Sequence, residues 1–234
     1  MNPTHAFILK SISIALSLAL TIGSYALALR LHRKFSWAAP IVFACIPIIA
    51  VLYILRIPLL EYDRGGSLLT WWLGPATVAL AVPMYRNGLG LRRILPRLSL
   101  IVLVGAIVGM VTAAGSAWLL GAPASIVMSA VPKSVTTPIA IEICRQLRGI
   151  PQITIAMVIV SGILGATFGT HLLRLVGVTN DHAIGAAVGT SSHGIGTASL
   201  IRSSDVQAAA SSWAMTAAGV FTSVIGSLLA LLSR

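Results

Sequence analysis

Apolar runs of about 20 residues recur along the whole chain, each long enough to cross the hydrocarbon core of a bilayer as a helix. Of the 234 residues, 57% are hydrophobic and 9% are charged. Ordinary globular proteins carry about 25% charged residues, so a soluble domain is excluded. The sequence predicts an all-α polytopic membrane protein folded as one integral membrane domain over residues 1–234.

The apolar runs divide into about eight predicted membrane segments with short connections. The first resembles a secretory signal, but its apolar stretch is long for one, so we expect it to remain as a helix. A step of 57 positions relates Pro75 to Pro132 and Gly105 to Gly162, which indicates either internal repeats within residues 67–232 or chance. The predicted segments are Phe7–Leu29, Ala38–Leu55, Ser67–Tyr85, Leu98–Leu120, Ser125–Cys144, Ile153–Leu175, His182–Ile201 and Val206–Leu232.

The basic residues indicate an orientation. Lys and Arg concentrate in the loops after the first, third, fifth and seventh segments, whereas the other loops hold Arg56 and Arg64 beside acids. Cytoplasmic loops carry the excess of Lys and Arg, so both termini are expected on the non-cytoplasmic side. A broken segment that re-enters would change this assignment. The net charge of +11 has the same origin, and no nucleic-acid partner is expected because no basic domain or reader motif is present.

Two of the predicted segments are polar where membrane helices are normally apolar. Val131–Glu142 lies within Ser125–Cys144, and Gly189–Ser199 lies within His182–Ile201. Irregular backbone survives at membrane depth only inside protein or beside a water-filled cavity. A pair of segments interrupted by Gly or Pro is typical of a solute site near the bilayer midplane. The sequence therefore predicts two interrupted helices around such a site, either spanning the membrane or re-entering it.

Pro132 and Pro138 are expected to open the first interruption, because each lacks an amide proton and clashes with the preceding turn. Lys133 lies near the middle of its segment, where a cation costs roughly 2.5–3.5 kcal/mol on insertion scales. We interpret it as an anion-binding group; the alternative is a lysine that reaches the interface or pairs with Glu142 structurally. The substrate-binding residues predicted here are Lys133, Ser134, Thr136 and Thr137.

Glycines loosen the second interruption around several hydroxyl side chains. Unwinding exposes free N–H groups and the positive end of a helix dipole, and both favour anions. His193 is predicted to carry a coupled proton, with Glu142 as a second candidate; the alternative is a histidine that only satisfies buried polar groups. The substrate-binding residues predicted here are Thr190, Ser191, Ser192, His193, Gly194, Gly196 and Thr197.

The remaining sequence features are weaker indications of function. Pro75 and Thr77 either line the same cavity or only kink the third segment. An intramembrane enzyme built on Ser192 and His193 is not expected, because neighbouring helical residues point in different directions and no Gly-x-Ser-x-Gly elbow is present. The cysteines form no CxxC pair and no metal-ligand cluster appears, so neither a metal nor a cofactor is expected.

Three runs of the sequence resemble the LrgB/CidB family of membrane proteins: LGPATVALAVPMYRN (73–87), PKSVTTPIAIEI (132–143) and GTSSHGIGTA (189–198). The resemblance extends from about Leu68 to the C-terminus. The family includes bacterial modulators of murein hydrolase activity and autolysis, described as holin/antiholin-like. It also includes plastid envelope proteins that move glycolate and glycerate, and bacterial members linked to pyruvate uptake.

The resemblance implies a carrier or channel for small carboxylates such as glycolate, glycerate, lactate or pyruvate, placed in the bacterial inner membrane. It also implies a small LrgA/CidA-like membrane partner. A holin/antiholin-like regulator of autolysis, without a specific substrate, is the alternative. The glycine pairs Gly105/Gly109 and Gly165/Gly169 have helix-dimer spacing, and a homo-oligomer, most simply a dimer, is expected. The acidic stretch that usually follows the last motif is reduced here to Asp205, so any ion coupling or partner choice that depends on those acids is expected to differ in this chain.

Overall fold

The computed structural model describes residues 3–34, 40–79, 81–86, 88–201 and 203–232. These ranges are helical almost throughout and contain no β-strand, which confirms the predicted all-α class. A π-helical turn, Gly165–Gly169, lies between the helices that end at Leu164 and begin at Thr170. The helices are α1 Pro3–Lys34, α2 Pro40–Ile54, α3 Leu59–Trp71, α4 Leu73–Ala79, α5 Ala81–Arg86, α6 Gly88–Leu119, α7 Ala124–Ala130, α8 Thr137–Gln146, α9 Pro151–Leu164, α10 Thr170–Leu175, α11 Asp181–Leu200 and α12 Asp205–Leu232.

Four helical stretches within the described ranges are long and apolar enough to cross a membrane. The helix α2 is apolar but shorter. The protein is therefore an integral membrane protein, as the composition predicts. The four stretches are Ser13–Lys34, Arg92–Leu119, Pro151–Leu175 and Asp205–Leu232.

The chain divides into two compact units, Met1–Val78 and Ala79–Arg234. In the first unit α1 packs against α2 and α3. A Cβ placed on Gly65 of α3 would lie 2.9 Å from the carbonyl oxygen of Ile14, so α3 approaches α1 closely. The hydroxyls of Thr21 and Tyr62 share a hydrogen bond of 2.8 Å.

The helix α12 forms the centre of the second unit, where it packs against α5, α6, α8 and α11. Its buried face is made of small side chains, including three alanines at positions 208–210 that are fully buried. Gly185 and Gly189 of α11 lie directly against the backbone of Gln207 and Ser211. Small residues let membrane helices approach this closely, so α11 is held firmly against α12.

The helices α7 and α8 form a hairpin. Gly149, just beyond α8, lies between Cys144 of α8 and Ser129 of α7. The amide of Ile150 donates to Ser129 Oγ over 2.7 Å. Twenty residues of straight helix would separate positions 129 and 149 by about 30 Å. The chain therefore reverses within residues 131–136, and α7, this turn and α8 are called hairpin 1.

The helix α11 also reverses, at His193, whose backbone is non-helical with φ 39° and ψ −137°. Gly196 lies against the side chain of Val188, which is eight residues earlier and would be about 12 Å away in a straight helix. The two ends of α11 therefore lie near each other. Asp181, the first residue of α11, accepts at Oδ1 a 2.7 Å hydrogen bond from Nε2 of Gln207, which follows α11 in the first turn of α12. We call α11 hairpin 2.

The first arm of hairpin 1 contacts the start of α9, and the first arm of hairpin 2 contacts the turn that follows its end. Thr154, in the first turn of α9, donates its hydroxyl to the carbonyl oxygen of Ser129 in hairpin 1, over 2.9 Å. At the other end, a Cβ on Gly169, in the turn that follows α9, would lie 3.3 Å from Val188 of hairpin 2. The hairpins therefore enter the second unit from opposite directions.

The tips of the two hairpins meet beside the middle of α9. Val135, in the turn of hairpin 1, packs in one cluster with Val158. His193, at the tip of hairpin 2, places Nε2 3.0 Å from the carbonyl oxygen of the same Val158. Both turns therefore lie inside the stretch Pro151–Leu175, far from its ends.

Candidate functional site

The tip of hairpin 1 presents a lysine and a serine. The turn stays non-helical because Pro132 cannot donate to the preceding turn, whereas Pro138 fits the first turn of α8, where no donor is needed. Lys133 Nζ donates to Ser134 Oγ over 3.2 Å, and both residues are half-buried. Among the described residues Glu142 pairs instead with Arg145, at 3.8 Å. A structural Lys133–Glu142 pair is therefore absent from this part of the chain.

A cavity of about 560 Å³ opens between α6, the first half of α11 and the tip of hairpin 1. Its apolar wall includes Leu98, Ile101 and Ala186. No Asp or Glu occurs among its described lining residues, so the fixed charges that face it are positive. The polar lining residues are Arg97, Lys133, Ser134, Asn180, His182, Thr190 and Ser191.

Two glycines of α6 bring the helix close to both hairpins. A Cβ on Gly105 would lie 3.3 Å from Thr190 Cγ2, and a Cβ on Gly109 would lie 3.7 Å from Ser134 Oγ. Larger side chains at these positions would fill the cavity beside Lys133. The glycine pair with helix-dimer spacing thus faces the candidate site of its own chain.

The tip of hairpin 2 is buried in protein. His193 is 4% exposed and Ser192 is 1% exposed. The His193 ring lies against Gly162, where a Cβ would come within 2.9 Å of the ring, and Ser192 lies directly against Gly165. Thr197 shares a 2.8 Å hydrogen bond with Ser211 of α12. These side chains join α11 to α9 and α12 rather than lining the cavity.

The structure therefore brings together four of the predicted substrate-binding residues at one cavity, Lys133, Ser134, Thr190 and Ser191. The others lie outside its lining. Thr136 and Thr137 lie at the start of α8. Gly194 and Gly196 lie in the second half of hairpin 2. The side chains of Ser192, His193 and Thr197 are buried against α9, its following turn and α12. The turn that holds Lys133 and the His193 ring nevertheless meet beside the same residue of α9, Val158. Pro75 is exposed on α4 in the first unit, and the Thr77 side chain falls outside the described part of the chain.

Sequence reasoning missed three polar lining residues, Arg97, Asn180 and His182. In the sequence Arg97 directly precedes the predicted segment Leu98–Leu120, among the loop charges that indicate orientation. Its helical spacing could have revealed it, because Arg97, Ile101, Gly105 and Gly109 follow one another at four-residue intervals and share a face of α6. Asn180 and His182 flank the start of α11, where Asn180 Oδ1 accepts from the amide of Ala183 over 3.1 Å.

The membrane-length helices and the polar cavity inside the second unit define a helical integral membrane protein with an internal site. Residues 21–232 match the profile of the LrgB-like family. The chain belongs to this family, which confirms the resemblance found in its motifs.

Several bacterial relatives cover most of the chain. The uncharacterized protein YwbG of Bacillus subtilis is 33% identical over 88% of this chain and 92% of its own length. The holin-like protein CidB of Staphylococcus epidermidis is 29% identical over 93% of this chain and 96% of its own. The antiholin-like protein LrgB of Bacillus mycoides is 33% identical over 70% and 72%, respectively. No solved structure matches the chain.

Proposed function

We propose that this protein is a transporter of small organic anions such as glycolate, glycerate, lactate and pyruvate. The observation that carries the proposal is the cavity at the tip of hairpin 1, which is lined by Lys133 and has no acid among its described lining residues. The ammonium of Lys133 would donate to a carboxylate, and the Ser134, Thr190 and Ser191 hydroxyls would complete its hydrogen bonds. Hydrogen bonds between ionised partners are about twice as strong as neutral ones.

The hairpin geometry supports a revised membrane topology. In this proposal the eight predicted segments include two that re-enter, hairpins 1 and 2, while α6, the α9–α10 stretch and α12 cross fully. Hairpin 1 then begins and ends on one side, and hairpin 2 begins and ends on the other. Two irregular turns at membrane depth are tolerated because each is enclosed by protein or faces a cavity.

The basic residues orient this arrangement in the bacterial inner membrane. Arg92, Arg93 and Arg97 at the start of α6 lie at the same end of the second unit as Arg174 at the end of α10. The opposite end carries Arg145 and neighbouring residues of the α8–α9 turn. The end richer in arginine is proposed to be cytoplasmic, so the C-terminus is non-cytoplasmic. The last turn of α1 is also basic and is proposed to be cytoplasmic, so the N-terminus is non-cytoplasmic as well.

Proton coupling remains part of the proposal. His193 is the candidate carrier because an anion bound at Lys133 would change the field at its ring. The second candidate, Glu142, lies exposed on α8 beside Arg145. A small LrgA/CidA-like membrane protein and a second copy of the chain are the proposed partners, and no enzymatic activity is proposed.

The second candidate function is a holin/antiholin-like regulator of murein hydrolase activity and autolysis. The names of the relatives, holin-like CidB and antiholin-like LrgB, favour it. A regulator of this kind would form oligomers that leak without selecting a solute. Its activity would be insensitive to single changes in the cavity.

Counterflow into proteoliposomes separates these functions. Vesicles loaded with unlabelled acid are given labelled glycolate, glycerate, lactate or pyruvate, and saturable uptake of some acids but not others supports the transporter. Lys133→Gln should reduce initial uptake at least about tenfold, because a hydrogen bond to a charged group contributes about 1.5–3 kcal/mol. Arg30→Gln, a change of an exposed cation on α1 that does not line the cavity, serves as the control and should leave uptake unchanged.

The outcomes are distinct. Unselective leakage would favour the regulator. Selective uptake that survives Lys133→Gln would leave a transporter but remove this binding site.

A further inference from the structure

We propose that the cavity holds a second anion-binding site, formed by Arg97, His182 and Asn180 at the end remote from Lys133. It would receive the carboxylate from the cytoplasmic solution before the carboxylate reaches Lys133. This inference rests on the proposed transport of small organic anions and adds to it an outer site. We call these three residues the outer site and the Lys133 region the inner site.

The outer site carries an available positive charge. Arg97 lines the cavity and is exposed, so its side chain is available to an anion that enters from solvent. The salt bridges among the described residues join Arg64 to Glu61 and Arg145 to Glu142, and neither uses Arg97. A guanidinium binds carboxylates through two parallel hydrogen bonds, which is the geometry that a small organic acid offers.

His182 supplies a second, independent observation. Its Nδ1 is shielded from solvent and has no hydrogen-bond partner among the described residues. A buried polar atom without a partner costs about 1–3 kcal/mol. A turn of the His182 imidazole toward the cavity would let Nδ1–H donate to a carboxylate and remove this cost. The adjacent Asp181 does not compete, because its carboxylate accepts from Gln207 Nε2 and from Ser204 Oγ.

Asn180 completes the set. Its Oδ1 is occupied by the amide of Ala183, which fixes the side chain against the first turn of α11. Its two amide protons remain the donors that this side chain can offer to the cavity. Arginine, imidazole and amide donors thus share one end of the cavity with no acid among its described lining residues.

Distance separates the outer site from the inner one. Gly109 lies beside Ser134, and the step of twelve positions along α6 from Arg97 to Gly109 spans about 18 Å. This backbone separation is much longer than a two- or three-carbon acid, so each end can hold an anion of its own. The wall between them is apolar, through Leu98, Ile101 and Ala186. The two sites are therefore proposed to be filled together, by two anions in one chain.

Two measurements on Arg97→Gln test the outer site, with Arg93→Gln as the matched control. Arg93 carries the same charge one turn earlier on α6, is exposed, and does not line the cavity. In the counterflow assay Arg97→Gln should raise KM about tenfold with little change in maximal rate, the pattern of a lost binding interaction. Arg93→Gln should leave KM unchanged, and Arg97→Lys should restore part of the affinity.

Equilibrium binding of labelled glycolate to the detergent-solubilised protein gives the second readout. Two anions per chain are expected for the wild type and for Arg93→Gln, and one for Arg97→Gln. The outer site is overturned if the wild type binds a single anion, or if Arg97→Gln and Arg93→Gln change KM equally. A wild type that binds two anions but shows no selective flux would instead contradict the proposed function and leave the outer site standing.

Discussion

The tips of the two hairpins carry similar residue types but place them differently. In hairpin 1 the regular α-helix gives way to tight turns over residues 131–136, and Lys133 and Ser134 line the cavity. In hairpin 2 the reversal is concentrated at His193, which is buried with Ser192 against α9. Prolines hold several residues out of the helix, whereas glycines allow a tight reversal and close packing. A proline-interrupted turn therefore exposes side chains, and a glycine-interrupted turn joins helices.

Packing holds the tip of hairpin 2 in an unfavourable conformation. A non-glycine residue with positive φ in a sparsely populated region costs about 1–3 kcal/mol and persists only when its surroundings enforce it. At His193 the bond to the Val158 carbonyl and the contact with Gly162 do so. The difference between a wet tip and a dry tip leads to three predictions.

The first prediction concerns the side of the membrane from which each hairpin enters, and its outcome is all-or-none. Single cysteines replace Ala122 and Arg148 at the two ends of hairpin 1, in a Cys45→Ser background. A membrane-impermeant maleimide should label both from the same side of the membrane, because the chain reverses between them. The pair Thr179→Cys and Ser203→Cys around hairpin 2 should be labelled from the opposite side. Labelling of Ala122→Cys and Arg148→Cys from different sides would show a full crossing and remove the comparison.

The next effect concerns stability at the dry tip. A Cβ on Gly165 would overlap Ser192, including its Cβ, which cannot move without the hairpin backbone. Gly165→Ala should therefore cost about 1–3 kcal/mol through overpacking, seen as a lower Tm in detergent. Gly115→Ala on α6 is the control, since nothing lies within 4 Å of its added methyl group. A Gly165→Ala protein as stable as the control would mean that the tip of hairpin 2 is loosely packed.

The smallest effect compares two neighbouring serines. Ser191 lines the cavity and Ser192 does not, although their hydroxyls lie 3.0 Å apart. Ser191→Ala should raise the KM for uptake about two- to tenfold, the effect of losing one neutral hydrogen bond of about 0.5–1.5 kcal/mol. Ser192→Ala should leave KM unchanged and lower only Tm. The reverse pattern would place the binding surface on the other side of the hairpin.

The helical class and the four membrane-length helices could be predicted from the sequence, because length and apolar composition determine them locally. The direction in which the chain leaves each turn could not. A re-entrant hairpin and a broken span share one hydropathy pattern, and the contact that separates them joins Ser129 to Ile150, 21 positions apart. Polarity likewise predicted that His193 avoids lipid, but not whether water or the Val158 carbonyl would satisfy it.

Arg97 shows the converse problem. Its position near a segment end made a charge that sets orientation the simplest interpretation, and that role is compatible with lining a cavity. Only the arrangement of α6 beside α11 places it opposite His182. Lys133 could be predicted, because an ammonium between two prolines in an apolar segment is costly without a polar environment.

Thiol accessibility distinguishes the two tips in one experiment, because the tip of hairpin 1 is proposed to face an anion-binding cavity and the tip of hairpin 2 is not. Ser134→Cys and Ser192→Cys are compared in the Cys45→Ser background with an anionic methanethiosulfonate reagent. We predict that Ser134→Cys reacts quickly and is protected by a transported acid such as glycolate, whereas Ser192→Cys stays unreactive. Equal reactivity of the two cysteines, or an unreactive Ser134→Cys, would contradict the account.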